Sequence, residues 1–312
     1  MSEDMAARQH TDDQPKSSVV EGETTPLVRI VRFATGASLV GAVTAGAFRA
    51  ATTTTPGRTA LVAGILLTEV ILAAILILLG SLVEGMGFGL SLGTHWPYTR
   101  NIFLLALQGD PEAAHRLTAT LVGLLAVALV FLSPNSATIS GLSLVIATAL
   151  FGVGTLHVLA GRLPSFVHGI HGLLAYGVLL CYLSVLAGHG TGLWTYVGET
   201  PALHAVLLAA FLGGMTTGQR GFGTPIGAFY VPVRRSQWVM IVHLISALAV
   251  VGTLGWLMPE YPEAFYLALG QILIGFLLFH AVNLKPKSPG ILVAFHQTMA
   301  LAVTIAIVAV PS

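Results

Sequence analysis

The chain has 312 residues, of which 55% are hydrophobic and 9% charged, and its mean hydropathy is +0.85. A soluble domain carries about 25% charge, so an ordinary soluble fold is excluded and an all-α polytopic membrane protein in a lipid bilayer is implied. Fourteen Lys+Arg against 13 Asp+Glu leave a net charge of +1, which offers no basic surface for nucleic acid, and the single cysteine, Cys181, excludes an internal disulfide or a Cys-rich metal site within one chain.

Residues 1–27 hold Arg8, Lys16 and six acids among Ser, Thr, Gln and Pro, too little apolar surface to offset the entropy of ordering, and are expected to form a disordered tail. They lack the pattern of a secretory signal. The N-terminal segment 28–58 contains Phe33 to Phe48, 16 residues rich in Gly, Ala and Thr, which stays open between a ninth span, an interfacial helix and neither. A membrane helix needs about 20 apolar residues, with about 17 as the lower limit. Runs that meet this are Thr59 to Val83, two within Leu117 to Gly161 divided at the turn-rich Ser133 to Gly141, and one within Leu163 to Gly198 that ends near His189. Thr200 to Gln219, Ser236 to Pro259, Ala264 to Leu284 and Ser288 to Ser312 follow. The expected architecture is therefore eight transmembrane helices, arranged as an N-terminal four-helix bundle over 59–190 and a C-terminal one over 200–312.

The two halves repeat each other. LGSLVEGMGFG (Leu79 to Gly89) matches LGGMTTGQRGFG (Leu212 to Gly223), and each is followed by a histidine near the start of the next helix, His115 and then His243, 128 residues apart. FGVGTLH (Phe151 to His157) matches IGFLLFH (Ile274 to His280), and His171 and His296 each stand seven residues after a proline, Pro164 and Pro289. Within the halves the paired histidines are 56 and 53 residues apart. This register predicts two pseudo-symmetric bundles carrying one constellation.

An imidazole inside a membrane is costly without a partner. Two histidines at the same end of facing helices form a bis-imidazole clamp suited to haem iron. Structural zinc prefers four N or S ligands, and imidazole-bound copper stays open. Haem propionates want cations, and the eight-helix count puts Arg100, Arg116, Arg162, Arg220, Arg234, Arg235, Lys285 and Lys287 on the histidine-bearing face, with no Lys or Arg in the opposite interhelical loops. Arg116, directly after His115, has the strongest case. Glu112 precedes His115 by three residues and on a helix shares its face, where it can orient the imidazole, cap the helix or take a proton. Glu84 lies on the same face with no partner evident in the sequence. The pair Gly214 and Gly218 reads as helix packing.

The ordered set GSLVEGMGFGLS, HWP (His95 to Pro97), ExxHR (Glu112 to Arg116) with TATLVGLL after it, and LPSFVHGIHGLLA resembles the haem A synthase family over roughly Ala60 to Ala309. The resemblance implies an enzyme with eight helices in two bundles that oxidises the C8 methyl of haem O to the formyl of haem A. Such an enzyme works in the cell membrane beside haem O synthase and terminal oxidase assembly proteins. It also implies that His115 and His171 hold the substrate haem O, that His243 and His296 hold a haem b cofactor that passes electrons, and that Glu112 takes part in the oxidation. Two places depart from the family pattern. GTHWPYT lacks the cysteine pair of some members, and Leu244 follows His243 where an arginine is usual. The additional histidines His157, His168 and His280 are candidates for second-layer or substitute ligands. The family places the histidine face outward; the Lys/Arg tally gives that face eight against six in the N-terminal segment, and the positive-inside rule would turn it to the cytoplasm if Phe33 to Phe48 spans and the tally becomes 12 to 2. A dihaem cytochrome b that only transfers electrons, and a haem-free transporter, are the competing readings.

Overall fold

A computed structural model describes residues 57–94, 96, 101–190, 192–220, 223–228 and 230–310. The 1–27 tail, the Phe33 to Phe48 segment, Arg100 and the HWP motif apart from Trp96 lie outside them. The described residues form helices only: α1 Gly57–Met86, α2 Ile102–Gln108, α3 Pro111–Leu132, α4 Ser136–Leu159, α5 Phe166–Ala187, α6 Leu193–Glu199, α7 Pro201–Arg220, α8 Arg235–Trp256, α9 Pro262–Leu284 and α10 Leu292–Val308. Seven of them, α1, α3, α4, α5, α7, α8 and α9, are long and apolar enough to cross a membrane. This is the architecture of a multi-pass membrane protein. The run from Ser288 yields less than expected: α10 begins only at Leu292 and has 17 residues, because Pro289 and Gly290, the latter at φ 89, form the turn that precedes it.

Local chemistry sets the helix ends. Asp110 caps α3 by accepting the Ala113 N–H at 3.0 Å, with Pro111 in the first turn where its missing donor costs nothing. Asn135 and Thr138 close a reciprocal cap on α4, so the expected turn over Ser133 to Gly141 shrinks to its first three residues and the remainder is helical. The Gln237 side chain accepts from the backbone N–H groups of Val233 and Arg234 at 2.8 and 2.9 Å and starts α8. The loop after α1 contains α2, which buries Ile102 and Ala106 and exposes Phe103, Leu104 and Leu107.

Helix contacts close two circuits, α1–α3–α4–α5 and α7–α8–α9–α10, which meet along α1–α10 and α5–α7. One buried cluster that includes Leu129, Leu179, Tyr182, Leu203, Leu254 and Ile307 runs through both. Hydrocarbon gives apolar helices no reason to associate, so close packing must hold the seams. At the α1–α10 seam the Gly290 N–H donates to the Gly85 carbonyl at 2.8 Å. At the α5–α7 seam a Cβ on Gly214 would stand 3.0 Å from the Gly169 Cα, and one on Gly218 would meet the Ser165 backbone at 3.2 Å. The glycine pair read from the sequence as packing does that.

Candidate functional site

Four glycines face four histidines. A methyl group on Gly80 of α1 would stand 3.2 Å from Cε1 of His115 on α3, and one on Gly152 of α4 would stand 3.2 Å from Cε1 of His171 on α5. In the second circuit Gly213 of α7 and His243 of α8 make the same contact at 3.2 Å, and Gly275 of α9 and His296 of α10 at 3.1 Å. Each imidazole thus lies against bare backbone on the helix before its own, a space any larger residue would fill. In the sequence repeat, Gly152 and Gly275 are each followed five residues later by a histidine, His157 and His280. Five residues turn a helix by about 140°, so His157 and His280 point away from the faces that carry Gly152 and Gly275. His280 is exposed and lies edge-on to Phe276 and Phe279, which argues against its service as a ligand.

Hydrogen bonding fixes the tautomer in the first circuit. Nδ1 of His115 lies 3.1 Å from the Leu76 carbonyl oxygen, and Nδ1 of His171 lies 3.0 Å from that of Thr148. A carbonyl only accepts, so each Nδ1 carries the hydrogen and each Nε2 keeps the lone pair that a metal ion needs. Leu76 and Thr148 stand four residues before Gly80 and Gly152, so one helix face supplies both the backbone acceptor and the space for the ring. In the second circuit Ala209, four residues before Gly213, is the corresponding carbonyl beside His243, although too loosely placed to be a hydrogen bond. At His296 the Gln271 side-chain amide donates to Nε2 at 3.2 Å, which marks Nε2 as the atom with the lone pair.

The rings of His243 and His296 are 6.4 Å apart between centroids, with their planes at 73°. That separation fits two imidazoles on opposite sides of one metal ion, whose bonds to nitrogen are about 2.0–2.1 Å. His115 and His171 are likewise within electrostatic reach of each other. No group of three or more His, Cys, Asp or Glu that would hold a bare ion is gathered among the described residues. A pair of axial imidazoles is the protein's share of a haem site, because the macrocycle supplies the remaining ligands.

Glu112 is placed differently from expectation. It neither caps α3, which Asp110 does, nor orients His115, which the Leu76 carbonyl does. It is buried, and its Oε1 is 2.5 Å from Nη2 of Arg116. Its Oε2 accepts from the Ser91 hydroxyl at 2.9 Å and from the Leu92 N–H at 3.0 Å. The carboxylate therefore ties the loop after α1 to the first turns of α3, one turn from His115. Arg116, buried beside it, is committed along one edge to this ion pair rather than open to solvent.

His168 does not stand in for His171. Its Nε2 lies 3.7 Å from Oε1 of Glu84 on α1, which gives Glu84 the partner the sequence did not reveal, and its flank abuts Gly218 of α7. Among the cations, Arg162, Arg234, Arg235, Lys285 and Lys287 are exposed at the ends of α4, α8 and α9 nearest the histidines.

One buried group was missed by reasoning from apolar runs. Glu69 lies in the middle of α1 with 0% exposure, and neither carboxyl oxygen has a hydrogen-bond partner among the described residues. Its signal in the sequence is that it is the lone acid within the run Thr59 to Val83.

No family model, no curated protein and no solved structure matches the chain.

Proposed function

We propose that this chain is a haem A synthase-like oxidoreductase of the cell membrane, in which eight spans form two pseudo-symmetric four-helix bundles with α10 as the eighth. The reaction is oxidation of the C8 methyl of haem O to the formyl of haem A, in support of terminal oxidase assembly. The observation that carries the reading is the fourfold glycine–histidine contact, with the His243 and His296 rings 6.4 Å apart. Its order of motifs is that of the family named above.

In this reading His115 and His171 hold the substrate haem O through Nε2, and the Leu76 and Thr148 carbonyls keep both rings in the ligating tautomer. His243 and His296 hold a haem b, which when bound supplies one-electron redox capacity. The Gln271 amide leaves His296 when that nitrogen becomes a ligand. Arg116 offers positive charge near the first site, and Glu112 balances it while holding Ser91 and Leu92 of the loop after α1. Overall the methyl and one water give the formyl with release of four protons and four electrons, the electrons passing to an external membrane electron acceptor, and the Glu112 carboxylate is the base closest in sequence to His115. Haem O synthase and oxidase assembly proteins are the expected partners.

The test is the pigment. Purified protein expressed with a haem O source should yield haem b together with haem O or haem A by pyridine-haemochrome spectra and mass analysis, and colourless protein would remove the proposal. A second reading, a dihaem cytochrome b that only transfers electrons, is favoured by one observation: both oxygens of Glu112 are already engaged. Glu112→Gln separates the two. Haem content that survives while haem A formation stops supports the enzyme, whereas unchanged haem A output takes the assigned role from Glu112. Haem b as the sole pigment when haem O is abundant establishes the electron carrier.

A further inference from the structure

Glu69 lies eleven residues before Gly80 on α1, about 16 Å along the helix axis from the level of the histidines. Tyr182 stands on α5, which packs on α1, within electrostatic reach of the carboxyl. Tyr182 is also fully buried, its hydroxyl has no hydrogen-bond partner among the described residues, and its ring is wedged against Gly141 of α4. The adjacent Cys181 gives its thiol to the Ala137 carbonyl at 3.0 Å. Among the described residues, the other helices packed on α1 bring nothing cationic to this depth. The ionisable groups of α3 (Glu112, His115, Arg116) and of α10 (His296) sit in the first two turns of those helices, at the histidine end. So do His168 and His171 of α5, while Tyr176 accepts from the Gln297 amide at 2.6 Å across the seam. A carboxylate with neither cation nor donor at this depth is far costlier than the neutral acid. Even the acid is costly where leucine would fit, and ionisable groups kept inside membrane helices mark proton pathways.

We propose that Glu69 and Tyr182 form an intramembrane proton-binding site. The carboxyl is a neutral acid at rest, and it releases and retakes its proton as the charge held in the α1–α3–α4–α5 circuit changes. The site itself is independent of the function assigned above; only its coupling to charge rests on the haem reading. The step is a proton transfer from the Glu69 carboxylic acid to water, giving carboxylate and hydronium, reversed when the proton returns, with no electron moved.

The test is infrared spectroscopy on the full chain in lipid nanodiscs, in H2O and in D2O. A protonated-carboxyl C=O band above amide I, shifted down in D2O, is expected. Glu69→Gln should remove that component, and Tyr182→Phe should keep it at a shifted frequency. Absence of the band in the wild type, or its full persistence in Glu69→Gln, overturns the site, and an unshifted band in Tyr182→Phe removes Tyr182 from it. In haem-loaded protein the haem midpoint potential should vary less steeply with pH in Glu69→Gln than in the wild type. An unchanged slope overturns the coupling while the band upholds the site. Protein that binds no haem overturns the coupling and the haem reading together, and leaves the band to decide the site.

Discussion

A methyl group is the natural probe of the four histidines. Gly213→Ala places a Cβ 3.2 Å from Cε1 of His243, tighter than ordinary van der Waals contact, so the ring must move by a few tenths of an ångström. If the second circuit holds haem as proposed, this should weaken binding by His243, read as partial loss of pigment or a change in its spectrum, while His243→Ala should abolish it. The matched control is Gly252→Ala on α8, where an added Cβ meets nothing within 4 Å and pigment should be unchanged. Glu112 carries a different kind of cost. Removing its charge breaks the buried ion pair with Arg116 from one side, which costs roughly 3–5 kcal/mol, and because Gln keeps an acceptor for the Ser91, Leu92 and Arg116 donors, Glu112→Ala should melt earlier than Glu112→Gln. Thermal denaturation of the two variants side by side checks this.

At the scale of elements, the caps decide where the site helices begin, and thereby where their histidines sit. Asp110→Ala removes the acceptor for the Ala113 N–H and should cost about 1 kcal/mol, measured as a lower unfolding midpoint. Because His115 is on the next turn of α3, haem affinity should fall with it if the proposed site binds haem. Much at this scale is legible in sequence: Pro111 after Asp110 and the Ser133 to Asn135 turn mark helix starts, and the apolar runs mark seven of the spans. What misleads there is also physical. A hydropathy window counts Ser288 to Gly290 with the last span, although Pro289 and a left-handed Gly290 exclude them from the helix. The same windows absorb Glu69, because one acid barely lowers the mean of a long apolar run.

Across the whole molecule, the two circuits are joined at seams made of backbone rather than of large side chains. A Cβ on Gly85 would stand 2.5 Å from the Gly290 carbonyl, and one on Gly218 would crowd the Ser165 backbone at 3.2 Å. Neither neighbour is the far end of a flexible side chain, so Gly85→Ala and Gly218→Ala should each separate the circuits and lower thermal stability, whereas Gly252→Ala should not. Equal stability in all three variants, measured in the same detergent, would deny the seams this role. Gly85 and Gly218 each lie five residues after the glycine that faces a histidine, Gly80 and Gly213, so one helix face serves the ring and another the seam.

By itself the sequence determined the class of protein, the positions of most spans and the four histidines, because hydropathy and a duplicated register are properties of the chain that need no knowledge of its neighbours. It also singled out Glu112 and Arg116, which prove to be paired. Only the tertiary structure decided which glycine receives each imidazole, that Leu76 and Thr148 set the tautomers of His115 and His171, that His168 belongs to Glu84, and that Glu69 is buried with no hydrogen-bond partner among the described residues. Those are contacts between helices, and residues as far apart in the chain as Gly85 and Gly290 meet only once crossing and rotation about each axis are set by packing.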